Sequence, residues 1–155
     1  MKPGVVRRWM YRGGSPNWLA RFLLRIDRAV IATGLLRKWV VTLEVVGRRS
    51  GRTISVPLVV ANYGGERYLV SMLGEQVNWV ANVRAAGGRA VVSSRGRENV
   101  LLEEVEPAER APILKHYLQV APGARPHVPV DRKAPLAQFE AIAERYPVFR
   151  IRTVT

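Results

Sequence analysis

Residues 39–61 read Trp39-Val40-Val41-Thr42-Leu43-Glu44-Val45-Val46-Gly47-Arg48-Arg49-Ser50-Gly51-Arg52-Thr53-Ile54-Ser55-Val56-Pro57-Leu58-Val59-Val60-Ala61. Two apolar, β-branched runs flank a turn that holds two glycines. That pattern belongs to paired strands joined by a short connection. A strand is therefore expected over 39–46 and another over 53–61. Pro57 has no N–H for a ladder, so it argues for an edge or a bulge in the second strand.

Toward the C-terminus, Asn62-Tyr63-Gly64-Gly65 reads as a turn and 67–71 as a third strand. A helix is expected over 76–86, ended by Gly87-Gly88. Residues 89–93 and 97–105 form a hairpin around Ser94-Arg95-Gly96. Pro107 opens a helix as its first residue, running to about position 120. Residues 121–135, with prolines at 122, 126, 129 and 135, read as an ordered loop. A short helix over 136–145 and a last strand over 146–152 complete the chain. Short strands separated by single helices predict a mainly β, α+β domain: a six-stranded antiparallel barrel with helical insertions.

Toward the N-terminus, residues 1–16 carry Arg7, Arg8, Arg12, Gly13, Gly14 and Pro16 and read as a mobile basic arm. Asn17 is placed to cap a helix to about residue 33, with Gly34 stopping it. Trp18, Phe22, Ile26 and Val30 share one side of that helix, and Arg21, Arg25 and Arg28 share the other. Two readings stay open: a lid packed on the barrel, or a helix lying on an anionic membrane. Arg21, Arg25, Asp27 and Arg28 interrupt the apolar run 18–31, which argues against a secretory signal or a membrane span. Residues 17–155 are read as one domain.

The chain has 155 residues, enough for a real core, and no cysteine. Disulfides, cysteine-bound zinc, iron–sulfur clusters and a thiol nucleophile are thereby excluded. The lack of cysteine agrees with a reducing compartment, and a cytoplasmic location is expected. Lys and Arg number 25 against 12 Asp and Glu, a net charge of +13. The excess is local: residues 1–52 hold 12 basic and 2 acidic side chains. Such a field attracts nucleic acid, an anionic membrane or an anionic small molecule.

Several chemistries lack their residues. There is no Walker loop, no Gly-x-Gly-x-x-Gly and no Gly-x-Ser-x-Gly. His116 and His127, without an acidic cluster, make no metal site, so none is expected. Glu103 and Glu104 alternate faces on a strand and, with Glu106, read as surface. Hydride transfer from a bound organic cofactor needs little from side chains, because the cofactor supplies the reactive atom.

Two segments do carry chemistry. Gly47-Arg48-Arg49-Ser50-Gly51-Arg52 packs three arginines and a hydroxyl into one turn. Glycines let backbone approach a ligand, and guanidiniums grip phosphate or carboxylate. Ser71-Met72-Leu73-Gly74-Glu75-Gln76 leaves a strand and enters a helix, whose free amides suit an anion. Asn78 and Asn82 follow at helical spacing with Trp79 between them, a set that suits a flat ring with heteroatoms. Each segment also has a plain reading, as a charged hairpin tip and as a surface helix with one buried tryptophan.

Taken in order, Gly-Arg-Arg-Ser-Gly-Arg at 47–52, Val-Pro-Leu at 56–58, Gly-Gly-Glu-Arg-Tyr-Leu-Val-Ser at 64–71 and Asn-Trp-Val-Ala-Asn-Val-Arg-Ala at 78–85 resemble the deazaflavin-dependent nitroreductase family. The similarity runs from about 38 to 106. It implies a split β-barrel, FMN-binding-like, and coenzyme F420, whose tail carries a phosphate and a polyglutamate chain. It further implies that Arg48, Arg49, Ser50 and Arg52 hold the tail and that Pro57 lines the pocket. Ser71, Met72, Leu73 and Gly74 would run along deazaflavin and phosphate. Asn78, Trp79 and Asn82 would support the ring side, and Arg84 would add a contact to the anionic portion. The family's basic N-terminal helix is associated with membrane surfaces and quinone-like substrates, which adds weight to a peripheral contact of residues 1–34 with an anionic membrane and leaves the lid reading open beside it.

The chain departs from the family in two places. Met72 stands where some relatives have Lys, and the late loop has no run of tyrosines. Tyr117 and His127 are left as the candidate proton donors or substrate contacts. The expected activity is F420-dependent hydride transfer to an electron-poor acceptor such as a quinone or nitro compound. An FMN-dependent reductase and a non-enzymatic cofactor or lipid carrier are the alternatives. Nucleic acid is not expected as a partner, because the arginines do not alternate with aromatics along a strand face. Monomer and homodimer are both open.

Overall fold

The computed structural model describes residues 40–154. The basic arm and the helix expected over 17–33 lie outside the described residues. The strands are β1 (Val40–Val46), β2 (Thr53–Tyr63), β3 (Glu66–Val70), β4 (Arg89–Ser93), β5 (Arg97–Glu104) and β6 (Val148–Thr153). They close into one antiparallel barrel in the order β1-β2-β3-β6-β5-β4. The six-stranded barrel read from the sequence is thus present. Among the described residues three α-helices are inserted: α1 (Asn78–Ala85), α2 (Ala111–Val120) and α3 (Leu136–Ile142).

Alternation along the strands builds two cores. Leu43, Val56, Val60, Leu69, Val92, Val100, Phe149 and Ile151 fill the barrel, and α1 adds Trp79, Val80 and Val83 to the same cluster. The intervening side chains Val59, Ala61, Tyr68, Val70 and Val148 point outward and are covered by α2 and α3. The period of two puts successive side chains on opposite faces, so β2, β3 and β6 are apolar on both. On α2, Ile113, Leu114, Tyr117 and Leu118 supply the covering stripe, and Phe139 of α3 is fully buried with them. Each such side chain contributes about 1.5–3 kcal/mol by leaving water.

Pro57 sits opposite Thr42 in the ladder to β1, whereas the ladder to β3 covers only Val60 onward. The proline therefore occupies a stretch of β2 paired on one side, as its missing N–H requires.

Several expected boundaries shift. The helix read over 76–86 begins at Asn78, because Val77 is extended at φ −118° and ψ 146°. The helix read over 107–120 divides into a 3-10 turn, Pro107–Glu109, and α2. Pro112 has no N–H to bond the carbonyl four residues earlier, so one continuous helix cannot form there. The proline-rich loop contains a 3-10 segment, Pro122–His127, fastened by the Arg125 guanidinium donating to the carbonyls of Leu118 and Gln119. The last strand starts at Val148, after Pro147.

Candidate functional site

The 47–52 turn is held by its own backbone. The Gly47 amide donates to the Arg52 carbonyl at 2.8 Å and the Gly51 amide to the Gly47 carbonyl at 2.9 Å. A Cβ on Gly47 would lie 2.7 Å from Ile54 Cδ1, 2.8 Å from Ser50 Oγ and 3.3 Å from the Arg52 carbonyl, so a larger residue requires those side chains to shift. Arg48, Arg49, Ser50 and Arg52 are all exposed. Their guanidiniums differ in partners. Arg48 donates to Asn82 Oδ1 twice, from its backbone N–H at 3.1 Å and from Nη1 at 2.8 Å, and reaches Asn78 Oδ1 from Nη2 at 3.5 Å. Arg49 and Arg52 have no carboxylate partner among the described residues. Two uncompensated guanidiniums on one tight turn make a strong attractor for an anion.

The second element is a recess of about 450 Å³ whose walls include Met72, Leu73, Gly74, Gln76, His127 and Tyr146. That volume falls in the range of small-molecule sites. Its floor is set by the chain leaving β3. Ser71, 2% exposed, donates its hydroxyl to the Gly74 carbonyl at 2.6 Å and its amide to the Pro147 carbonyl at 2.9 Å. Gly74 takes φ +90°, and a Cβ there would sit 3.2 Å from the Arg145 carbonyl. The Tyr146 hydroxyl donates to the His127 carbonyl at 3.3 Å, which joins the wall contributed by the 3-10 segment to the end of the helical insertion.

Helix α1 connects the two elements. Asn82 is 1% exposed and receives Arg48 from the turn. Asn78 lies two residues past the recess residue Gln76 along extended chain, a span of about 7 Å at 3.3 Å per residue. Trp79 turns into the barrel, against Phe149 at a centroid distance of 5.6 Å, and packs behind the site. Pro57 is half-buried.

Tyr117 and His127 lie in different settings. His127 is half-buried on the recess wall. Tyr117 is 3% exposed within the outer apolar cluster that also contains Met72, and burial pushes its phenol well above the ordinary range.

Arg84 is held by two carboxylates. It forks onto Glu104 through Nε at 2.9 Å and Nη2 at 2.7 Å, and onto Glu75 through Nη1 at 2.7 Å and Nη2 at 3.3 Å. Hydrogen bonds from Arg84, and then from Arg110, hold the Glu104 carboxyl below its usual range. The glutamates read as solvated surface are therefore partly ion-paired, with Glu103 bound to Arg152 as well. Sequence reasoning missed Arg110. Its guanidinium is 3% exposed and donates to the carbonyls of Val105, Ala143 and Tyr146 as well as to Glu104. Within Pro-Ala-Glu-Arg-Ala-Pro nothing distinguishes it from a surface arginine. Glu75, Gln76 and Tyr146 were also missed as neighbours of the recess; only the position of Glu75 and Gln76 beside Gly74 hinted at them.

A cationic turn and a ligand-sized recess on one closed antiparallel barrel suit an elongated cofactor with an anionic tail and a flat ring. They define a closed six-stranded barrel with a candidate cofactor site on it. Residues 22–138 match the F420H(2)-dependent quinone reductase family, and the chain belongs to it. It is accordingly an oxidoreductase that uses coenzyme F420 and a quinone-type acceptor. Family membership favours this reading over the FMN and carrier alternatives.

Among solved structures, an F420-H2 dependent reductase (FDR-A) is 24% identical over 73% of this chain and 93% of its own, with a TM-score of 0.49. A protein described as a domain-swapped dimer is 22% identical over 89% and 100%, with a TM-score of 0.52. A conserved hypothetical protein from Mycobacterium tuberculosis is 17% identical over 82% and 80%, with a TM-score of 0.54. The last two share the fold. No curated protein matches the chain. Among the described residues no helix is long and apolar enough to cross a membrane.

Proposed function

We propose that the enzyme holds the phosphate and polyglutamate tail of F420 on the 47–52 turn and its ring along residues 71–76, and that it reduces quinones or other electron-poor acceptors such as nitro compounds. Arg49, Ser50 and Arg52 grip the tail. Ser71, Met72, Leu73 and Gly74 shape the wall along the ring, with Pro57 at the pocket edge. Asn78, Trp79 and Asn82 back the ring side, and Arg48 and Arg84 belong to the same assembly. When bound, the reduced cofactor supplies a hydride, which is two electrons and one proton. Conversion of a quinone to a quinol takes one further proton. His127 is placed on the recess wall to deliver it, with water as the other source. Tyr117, behind Met72 in the apolar cluster, supports that wall.

The observation that carries this reading is the pair of Arg48–Asn82 hydrogen bonds. They tie the 47–52 turn to α1, the helix that follows the recess residues 72–76, which supports a single site spanning both. The test is turnover of reduced F420 with menadione and with a nitroaromatic. His127→Ala is expected to lower kcat about 100-fold with a smaller change in the KM for cofactor, the lower end of the usual size of general acid catalysis. Equal kcat in both proteins would remove His127 from the reaction.

Residues 17–155 are proposed to act as one domain on the cytoplasmic side of a membrane. The sequence spacing of Arg21, Arg25 and Arg28 supports peripheral contact through residues 1–34 with anionic lipid. Co-sedimentation with phosphatidylglycerol vesicles, but not with phosphatidylcholine vesicles, is the expected result. The domain-swapped neighbour makes a homodimer worth testing against a monomer by sedimentation equilibrium.

A further inference from the structure

We infer that Arg48 and Arg84 are positioning residues: they brace α1 between the turn and the recess and so set the separation of the two halves of the site. This rests on the cofactor placement proposed above and reassigns two of its arginines.

The bonding around Arg48 carries the first half. Its Nη1 and its backbone N–H converge on one oxygen, Oδ1 of Asn82, inside a residue that is 1% exposed. Nη2 is aimed at Asn78 on the same helix face. The planar fork that would grip a phosphate is already seated on helix amides. Arg49 and Arg52 carry no such contact among the described residues.

The bonding around Arg84 carries the second half. Two bidentate carboxylates surround it, and Glu104 is shared with Arg110. A guanidinium compensated in this way offers an anion little attraction. Its partners show what it fastens: Glu75 lies on the recess wall and Glu104 ends β5. At about 100° per residue, Arg84 is roughly 200° around α1 from Asn82. The helix therefore holds the turn from one side and the recess chain from the other. Arg110 anchors the same carboxylate to the helical insertion.

The test compares two probes by equilibrium binding: intact F420, and the deazaflavin riboside chromophore without phosphate or polyglutamate. Arg48→Met is expected to weaken intact F420 about 10-fold, and Asn82→Ala by a similar factor. The double variant should stay within about 2-fold of either single, because residues acting through one another are not additive. Arg48→Met should leave the tailless chromophore within about 2-fold, a result that general loss of structure would not give. Asn82 is buried, so Asn78→Ala provides a second cycle that does not depend on it.

Arg84→Met and Glu75→Gln should each weaken the tailless chromophore about 3-fold, and together no further. A double Arg48/Asn82 variant about 100-fold weaker would mean independent contacts and overturn the brace. Loss of intact F420 alone on Arg84→Met, with Glu75→Gln silent, would overturn it too. If Arg49→Ala leaves F420 binding unchanged, the placement of the tail is wrong, a failure separable from either of these.

Discussion

Two arginine clusters of this protein face opposite fates. On the 47–52 turn, Arg49 and Arg52 stand exposed without an acidic partner among the described residues. Near α1, Arg84 and Arg110 meet carboxylates and carbonyls at every turn. The residue type is the same; the bonding is not. A cation already paired stabilises the fold, whereas an unpaired one is available to a ligand. Removing an arginine from each cluster should therefore damage different properties.

The largest effect is expected at Arg110. Arg110→Ala leaves four carbonyls, those of Val105, Ala143, Glu144 and Tyr146, and the Glu104 carboxylate short of a buried donor, a cost of about 3 kcal/mol. For a chain of this size that lowers Tm by roughly 5–10 °C. Calorimetry checks the loss, and F420 affinity measured well below Tm should stay within about 3-fold. A large loss of affinity with an unchanged Tm would break the contrast between the clusters.

On the turn the reverse is expected. Arg49→Ala and Arg52→Ala should each weaken F420 about 10-fold, or about 1.4 kcal/mol, while Tm moves by no more than about 1 °C. An unfolding scan run beside the binding titration decides it.

Salt sharpens the same contrast. At 0.5 M ionic strength the Debye length falls to about 4 Å, so exposed charges on the turn lose reach. Cofactor affinity should drop several-fold, and Tm should change little because Arg110 is buried. Equal sensitivity of both would sink the distinction.

The smallest effect lies in acid. The Glu98 carboxyl is held low by Arg67, and Glu104 by Arg84 and Arg110. Each contributes stability that is fully present above the unfolded value of 4.5 and is lost as pH falls through the lower folded value. Tm should therefore decline below about pH 4.5, and Arg84→Met should make that decline shallower. A slope identical to wild type would show that Arg84 does not hold Glu104 low.

The barrel was legible because its signals are local. Period-two alternation over 39–61 and the glycine turns announce strands without any knowledge of partners. The turn and the 71–82 segment were legible as chemistry for the same reason. Other features depend on distant contacts. Pro112 divides a helix that pattern alone continues from Pro107. Arg110 looks like any surface arginine until the carbonyls of Ala143 and Tyr146 close around it. Arg48, Arg49 and Arg52 are indistinguishable in sequence, and only Asn82, 34 positions from Arg48, separates them. Trp79 was read as a neighbour of the ring and lies inside the barrel against Phe149. Long-range pairing decides these roles, and it leaves no periodic trace.

The central claim is that Arg49 and Arg52, which have no acidic partner among the described residues, hold the anionic end of F420 on the 47–52 turn. Its most direct test is a titration of oxidised F420, followed by cofactor absorbance and Trp fluorescence, into the wild-type chain and the Arg49→Ala/Arg52→Ala double variant. The account predicts saturable micromolar binding to the wild type, about 8 kcal/mol. It predicts binding about 100-fold weaker in the double variant at an unchanged Tm. Dissociation constants within about 2-fold of each other, or no saturation of the wild type by about 1 mM, near 4 kcal/mol, would contradict it.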